Sequence, residues 1–252
     1  MPVGTIVHRL ESVSSTNDAA RALALDGAAH GTAVVAGEQT RGRGTKGRTW
    51  HSPPGLGLYA SFILRASGGG PVPFLHLLPL AAGLAASDAI LAAAGIEVRL
   101  KWPNDLVHGG KKLGGILSES VTGAAGGDFA VVGVGVNVGH GLMDFPADLR
   151  SSATSLRLAG GGAATNESLF AGLCRALDCW YNALTRGAKK PVVRAFEERL
   201  AFPPGASIRV VTAAGTFMGT CRGLDAEGRL VVERAGAGGT VVLESVLGLD
   251  GA

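Results

Sequence analysis

Two short segments of this chain carry the residue types that chemistry at phosphorus needs. Gln39-Thr40-Arg41-Gly42-Arg43-Gly44-Thr45-Lys46-Gly47-Arg48-Thr49-Trp50 alternates cations with glycines. Lys101-Trp102-Pro103-Asn104-Asp105 is followed by Lys112-Leu113-Gly114-Gly115-Ile116-Leu117. A cationic glycine loop surrounds anionic oxygens with backbone amides as well as side chains. A lysine set between apolar stretches adds a point charge. Together they are equipped to hold several negative charges close together while bonds to one phosphorus are exchanged.

Each segment also has a plainer reading. The loop spacing is neither GxxxxGK[ST] nor GxGxxG, and glycine-arginine text also serves as a solvent-exposed loop or a nucleic-acid backbone patch. Trp50, beside His51-Ser52-Pro53-Pro54-Gly55, either covers a flat ligand or packs in the core. Asn104 and Asp105 follow a proline, so they are presented at a strand end or form a simple turn. Lys112 either meets an anion or runs along the surface, and Lys111 beside it leaves the choice open on chemistry alone. Ser15, Thr16, Asn17 and Gln39 are four neutral hydrogen-bonding side chains suited to an uncharged polar head group such as a cyclic urea or amide. Helix capping accounts for part of that set.

These residues need elements to hold them. Thr5 to Leu10 is a short apolar stretch, and Ser15 with Asp18 reads as a capping box that opens a helix running to Gly27. Thr32 to Gly37 is a strand that leads into the glycine-basic loop, and Leu58 to Leu64 is another, its alternation broken by Ser61. A helix covers Leu75 to Ala94, closed by Gly95. Val98 to Trp102 and Gly115 to Ser120 are expected to pair through a turn at His108-Gly109-Gly110. Phe129 to Val138 is an apolar strand whose glycines allow close approach of a ligand or another backbone. Thr165 or Asn166 caps a helix through Leu169, Leu173, Leu177 and Trp180, and a second helix covers Val192 to Leu200. From Pro203 onward short β-branched runs predict strands at Ser207 to Thr212, Thr216 to Cys221, Leu230 to Arg234 and Thr240 to Leu243, a small barrel.

Composition narrows the class. The 252 residues are 46% hydrophobic and 17% charged, which describes a packed globular chain. A net charge of +3 does not argue for nucleic acid by itself. Three cysteines without CxxC spacing suggest neither a disulfide framework nor a zinc site, and no metal-ligand set is evident. A reducing cytoplasm is the expected compartment. The first residues lack the apolar core of a signal peptide. The apolar stretch Phe74 to Val98 carries Pro79, Ser87 and Asp88 and reads as a buried helix, with a membrane span as the alternative. No Cys or Ser sits in a convincing nucleophilic triad.

The order of these segments, ending with Gly133-Val134-Gly135-Val136-Asn137, resembles that of the biotin–protein ligases, also called biotin–[acetyl-CoA-carboxylase] ligases. The resemblance covers essentially the whole chain, including Arg222 to Val232 in the terminal barrel. It implies an α/β fold: a mixed sheet with helices, similar to the catalytic core of class II aminoacyl-tRNA synthetases, over residues 1–203. An SH3-like domain would follow over 204–252. It implies that biotin and ATP give biotinyl-5′-AMP and pyrophosphate, and that the biotinyl group then passes to one lysine of a biotin carboxyl carrier protein. Ser15, Thr16, Gln39 and Gly115 would contact the biotin head, with Gly133 lining the same pocket. Arg43 and the Gly42 backbone would approach the carboxylate and the α-phosphate. Arg48 and Lys112 would stabilise phosphate charge, with Lys112 also near the carboxylate. Asn104, Asp105 and Asn137 would position ATP, its Mg²⁺ or the acceptor amine, and Trp50 would cover biotin or the adenylate. Arg43, Arg48, Lys112 and Asp105 are the implied catalytic set.

Two departures from the family pattern stand out. Thr45 stands where an arginine is common, which predicts leakage of biotinyl-AMP unless Lys46 compensates. Ser15-Thr16-Asn17 begins so early that the helix-turn-helix of the bifunctional repressors has no room, so DNA is not an expected partner; nor is a membrane, with Phe74 to Val98 read as a buried helix. The oligomeric state is left open, with a homodimer as one option. Rival readings are a lipoate or octanoate ligase or transferase on a related fold, and a non-catalytic nucleic-acid module. The polar head-group set argues against the first, and Lys112 between apolar stretches argues against the second.

Overall fold

The computed structural model describes residues 1–66, 70–122, 127–236 and 239–251. Seven strands form a mixed sheet: β1 (Val7–Val13), β2 (Ala33–Gln39), β3 (Gly57–Leu64), β4 (Arg99–Lys101), β5 (Asp105–His108), β6 (Lys111–Val121) and β7 (Phe129–Asn137). Their spatial order is β1-β2-β3-β7-β6-β5-β4. Only β1 and β2 pair in parallel; the other neighbours are antiparallel.

Strand periodicity divides the sheet into two unlike faces. Leu58, Ala60, Phe62 and Leu64 of β3, with Ala130, Val132, Val134 and Val136 of β7, point into the main core. There they meet α2 (Leu78–Ala94) and α3 (Asn166–Thr185), and α4 (Lys189–Glu198) packs against both helices. The stretch Leu75–Ala94 is long and apolar enough to cross a membrane, yet 67% of its most apolar window is buried within the fold. Its apolar character on all sides fits a helix enclosed by a sheet and neighbouring helices.

The opposite face is only half covered. α1 (Thr16–Leu25) lays Ala20 and Ala24 against Val34, Ile63, Phe129 and Val131. Beyond the start of α1 the same face carries Ser61, Gly133, Gly135, Gly115 and Leu117, and here the site lies. Ser15 caps α1 as expected, its Oγ accepting from the Asp18 amide at 3.5 Å. The Asp18 carboxylate does not complete the capping box; it accepts from Arg43 at 2.7 Å.

Strand pairing around Lys101 departs from the sequence expectation. The stretch Val98 to Trp102 does not pair with Gly115 to Ser120; β5 lies between β4 and β6 and pairs with both. Trp102-Pro103-Asn104 is the tight turn into β5, with a cis Trp102–Pro103 bond, and Gly109-Gly110 turns β5 into β6.

The chain ends in a five-stranded antiparallel sheet, consistent with an SH3-like unit. It comprises β8 (Ser207–Thr212), β9 (Gly215–Leu224), β10 (Leu230–Arg234), β11 (Thr240–Leu243) and β12 (Gly248–Gly251), in the order β11-β10-β9-β8-β12. Its apolar residues, among them Ile208, Val210, Cys221 and Val232, join the core of the large sheet. The buried Trp102 indole donates to Gly228 O at 2.9 Å across that junction.

Candidate active site

The half-covered face holds a cavity of about 420 Å³, within the usual size range of small-molecule sites. Its floor is made by two strands whose side chains are missing where space is needed. Gly115 of β6 lies opposite Gly135 of β7, and Leu117 lies opposite Gly133. A Cβ built on Gly133 would fall on Asn17 Oδ1, and one on Gly135 would stand 2.7 Å from Trp50 Nε1. These glycines let an amide and an indole lie flat on the sheet.

One end of the cavity is neutral and densely hydrogen-bonded. Gln39 Oε1 accepts from Thr16 N at 2.9 Å and from Thr16 Oγ1 at 3.1 Å, while its Nε2 donates to Ser52 Oγ at 2.9 Å. Ser61 Oγ, fully buried on β3, lies 2.6 Å from Asn17 Oδ1 and 2.8 Å from Thr16 Oγ1, with one hydroxyl proton to donate to the pair. Among the described residues, Gln39 keeps a second amide proton for a ligand, and the bonds it already makes hold that proton in one orientation.

The other end is charged. Lys112 Nζ donates to Asp105 Oδ1 at 2.6 Å and stands 5.6 Å from the centre of the Trp50 ring. Its aliphatic stem passes over Gly115, whose added Cβ would meet Cε at 3.5 Å. Lys112 lines the cavity and Lys111 does not, so the structure separates the two lysines that chemistry alone left equivalent. Backbone bonds from Lys112 N to Ser152 O (2.8 Å) and from Thr154 N to Lys112 O (2.9 Å) add the 152–154 segment as a wall. Asn104 and Asn137 line the cavity but use their amide nitrogens internally, on Ile116 O at 2.8 Å and Thr154 O at 2.9 Å.

The glycine-basic loop closes the cavity as a hairpin. Gly42 O accepts from Trp50 N at 2.9 Å, and Arg48 O accepts from Gly44 N at 2.7 Å. Gly42 stands behind the wall, where an added Cβ would meet Trp50 O and Ser52 Oγ. Gly44, Thr45, Arg48 and Trp50 face the cavity; Lys46, in the left-handed region at φ 59°, is exposed and does not line it. Trp50 Nε1 is buried without a hydrogen-bond partner among the described residues, a donor left for a ligand.

Two of the loop arginines, Arg43 and Arg48, are engaged. Arg48 donates to Leu247 O of the small sheet at 2.5 Å. Arg43 makes a two-pronged contact with Glu119, at 2.9 and 2.8 Å, and a third bond to Asp18 at 2.7 Å. Partial burial would raise the Glu119 pKa, but hydrogen bonds from Arg43 and Asn17 and the charges of Arg43 and Arg21 outweigh it and hold the carboxyl below its usual range. The Glu119 hydrogen bonds lift the Arg43 pKa in turn.

Sequence reading singled out neither Glu119 nor Ser61 as a site residue. Each had a faint signal: a carboxylate continuing the Gly115-Leu117 row of β6, and a serine inside an otherwise apolar strand. Lys101 and Asp250 border the cavity from the two sheets and pair at 3.1 Å.

Comparison with known proteins identifies the family. Residues 10–137 match the model of the biotin/lipoate A/B protein ligase family. The chain is 34% identical over 238 residues to a biotin–[acetyl-CoA-carboxylase] ligase of Paracoccus denitrificans, covering 92% of this chain and 96% of the relative. It is 37% identical over 221 residues to the bifunctional ligase/repressor BirA of Bacillus spizizenii, covering 88% and 67%. Its fold is similar to that of the biotin protein ligase from Aquifex aeolicus solved in complex with biotin and ATP, with a TM-score of 0.83, 26% identity, and coverage of 98% and 100%.

Proposed function

Since this chain belongs to the biotin/lipoate A/B protein ligase family, we propose that it is a biotin–[acetyl-CoA-carboxylase] ligase. It joins biotin to ATP as biotinyl-5′-AMP and transfers the biotinyl group to a lysine of a biotin carboxyl carrier protein. The observation that carries the choice of acid is the Gln39–Thr16–Ser61 network at the uncharged end of the cavity. A ureido ring presents an acceptor for the spare Gln39 amide proton and donors for the oxygens beside it; a dithiolane or an alkyl chain would leave that proton unpaired.

The roles follow from position. Ser15, Thr16 and Gln39 hold the head group, and Gly115 and Gly133 give it floor space. Trp50 covers the acid chain and offers its indole N–H to an oxygen. Lys112 stands where the carboxylate attacks the α-phosphorus and balances the charge that builds up as pyrophosphate leaves. Arg48 adds a second cation from the loop. Arg43, held by Glu119 and Asp18, carries the loop over the carboxylate and the α-phosphate. Asn104 and Asn137 shape the nucleotide end through the backbone they hold.

Mg²⁺ arrives with ATP. Asp105, a carboxylate on the cavity wall, would help hold the ion beside the phosphates. Bound there, it neutralises phosphate charge. In the second step the carrier amine attacks the biotinyl carbonyl carbon and AMP departs; Asp105, already accepting from Lys112, orients that amine or takes its proton. We place the reaction in the cytoplasm and the domain boundary at 203/204, where the Phe202-Pro203-Pro204-Gly205 segment precedes β8.

Mass measurement of an apo carrier domain incubated with enzyme, Mg-ATP and equal concentrations of biotin, lipoate and octanoate tests this reading. One biotinyl adduct on the carrier lysine is expected. A lipoyl or octanoyl adduct formed in preference would overturn the choice of acid.

A further inference from the structure

We propose that Glu119 is a positioning residue that fixes Arg43, and through it the glycine loop, across the cavity while biotin or biotinyl-AMP is bound. The inference rests on the ligase reading above and assigns a residue that the reading does not use.

The dock is built on the sheet. Glu119 follows Gly115 and Leu117 on the cavity side of β6, so its carboxylate stands just past the end of the floor. It is braced by Asn17 Nδ2 at 2.8 Å. Asn17 is only 3% exposed and reaches this place because Gly133 has no side chain. Its other contacts are Ser61, at 2.6 Å to Oδ1, and Leu117 O, at 3.3 Å from Nδ2. The carboxylate is therefore held in place by the network that also orients Thr16 and Gln39.

Arg43 brings the loop to that dock. Both of its terminal nitrogens are bound to Glu119, and one also to Asp18. A two-pronged arginine–carboxylate contact fixes direction as well as distance. The Asp18 side chain is 51% exposed against 29% for Glu119, so Glu119 is the better-braced anchor. Arg43 forms a bridge with Thr49 at the base of the hairpin, so fixing it places both limbs, including Thr45 and Trp50 over the cavity. The far limb has its own anchor, Arg48 on Leu247 O. Without Glu119 this limb keeps only the more exposed Asp18 contact, and the mixed anhydride beneath it gains an exit and a path for water.

Glu119→Gln tests this with little change of shape, since the amide keeps an acceptor for Arg43. Single-turnover adenylation with Mg-ATP and biotin should stay within about threefold of wild type. Release of biotinyl-AMP into solution should accelerate by roughly tenfold, the loss of one charge-assisted contact. The variant Arg43→Ala/Glu119→Gln should leak no more than Arg43→Ala alone, because both changes remove the same contact. Trypsin supplies a readout independent of chemistry: biotin should protect the 42–48 loop in wild type and fail to do so in Glu119→Gln. Wild-type retention by Glu119→Gln, additive leakage in the double variant, or full biotin protection in Glu119→Gln would each overturn the proposal. A wild-type enzyme that releases no pyrophosphate with biotin would instead refute the ligase reading, so the two failures are distinguishable.

Discussion

Gly133→Ala is the sharpest probe of how this site is built. The added methyl falls on Asn17 Oδ1 and lies 3.1 Å from Cγ and 3.4 Å from Nδ2. Asn17 cannot yield cheaply: it is buried in the first turn of α1 and bonded to Ser61, Leu117 O and Glu119. Moving the amide breaks the short neutral bond to Ser61, worth about 1 kcal/mol, and the bond to the Glu119 carboxylate, worth about 1.5–3 kcal/mol, with the long 3.3 Å contact to Leu117 O left out of the sum. A loss near 3 kcal/mol corresponds to a melting point roughly 6–12 °C lower for a chain of this size. Biotin should restore less of that stability than it adds to wild type, because Thr16 and the Glu119 dock shift together. Gly115→Ala is the contrast, since its new methyl meets nothing nearer than 3.5 Å. It should melt within about 2 °C of wild type, as expected for a substitution without a clash. Thermal melts of both variants with and without biotin make the measurement. Equal melting points for Gly133→Ala and wild type, with equal shifts on adding biotin, would refute the reasoning.

Other consequences are as direct. His140 is fully buried and stacked on Phe145; burial, with the nearby His51, lowers its pKa to about 4 from 6.5. A folded-state pKa below the unfolded one gives stability that is complete above pH 6.5 and lost as pH falls towards 4, by up to about 3 kcal/mol. A pH series of urea melts should show this loss, and it should be absent in His140→Phe. Lys112→Met should slow adenylation by about 10²–10³-fold, as removal of one charge stabiliser does, with biotin affinity less affected; stopped-flow adenylation separates the two. Thr45 faces the cavity without a charge while Lys46 does not line it, so Thr45→Arg should reduce escape of biotinyl-AMP. Equal escape from Thr45→Arg and wild type, read by labelling of an unrelated protein, would count against that assignment. Asp105→Asn should impair transfer to the carrier more than adenylation, measured as separate half-reactions.

Much of the site was legible because it depends on local type and spacing. The glycines of Phe129 to Val138 announced close approach, and Asn17 and Trp50 are what approach them. Lys112 and Asp105 lie seven positions apart and meet across one hairpin. What escaped was set by distant pairing. Glu119 gains its role from Arg43, 76 positions away, and Arg48 is anchored 199 positions along the chain. No local periodicity encodes either contact. β5 is only four residues long and begins at the Asn-Asp turn signal, so it read as loop. β12, Gly248–Gly251, has a single branched apolar residue and is a strand because β8 offers it an edge. Asp18 fits a capping box by spacing alone, but a guanidinium nearby offers its carboxylate a charged partner.

The central claim is that the neutral end of this cavity selects a ureido acid for adenylation. Pyrophosphate release from Mg-ATP, with biotin, lipoate and octanoate supplied separately, tests it most directly. The account requires release with biotin and none above background with the other two. Release with lipoate or octanoate in place of biotin would contradict it while leaving the family and the fold intact.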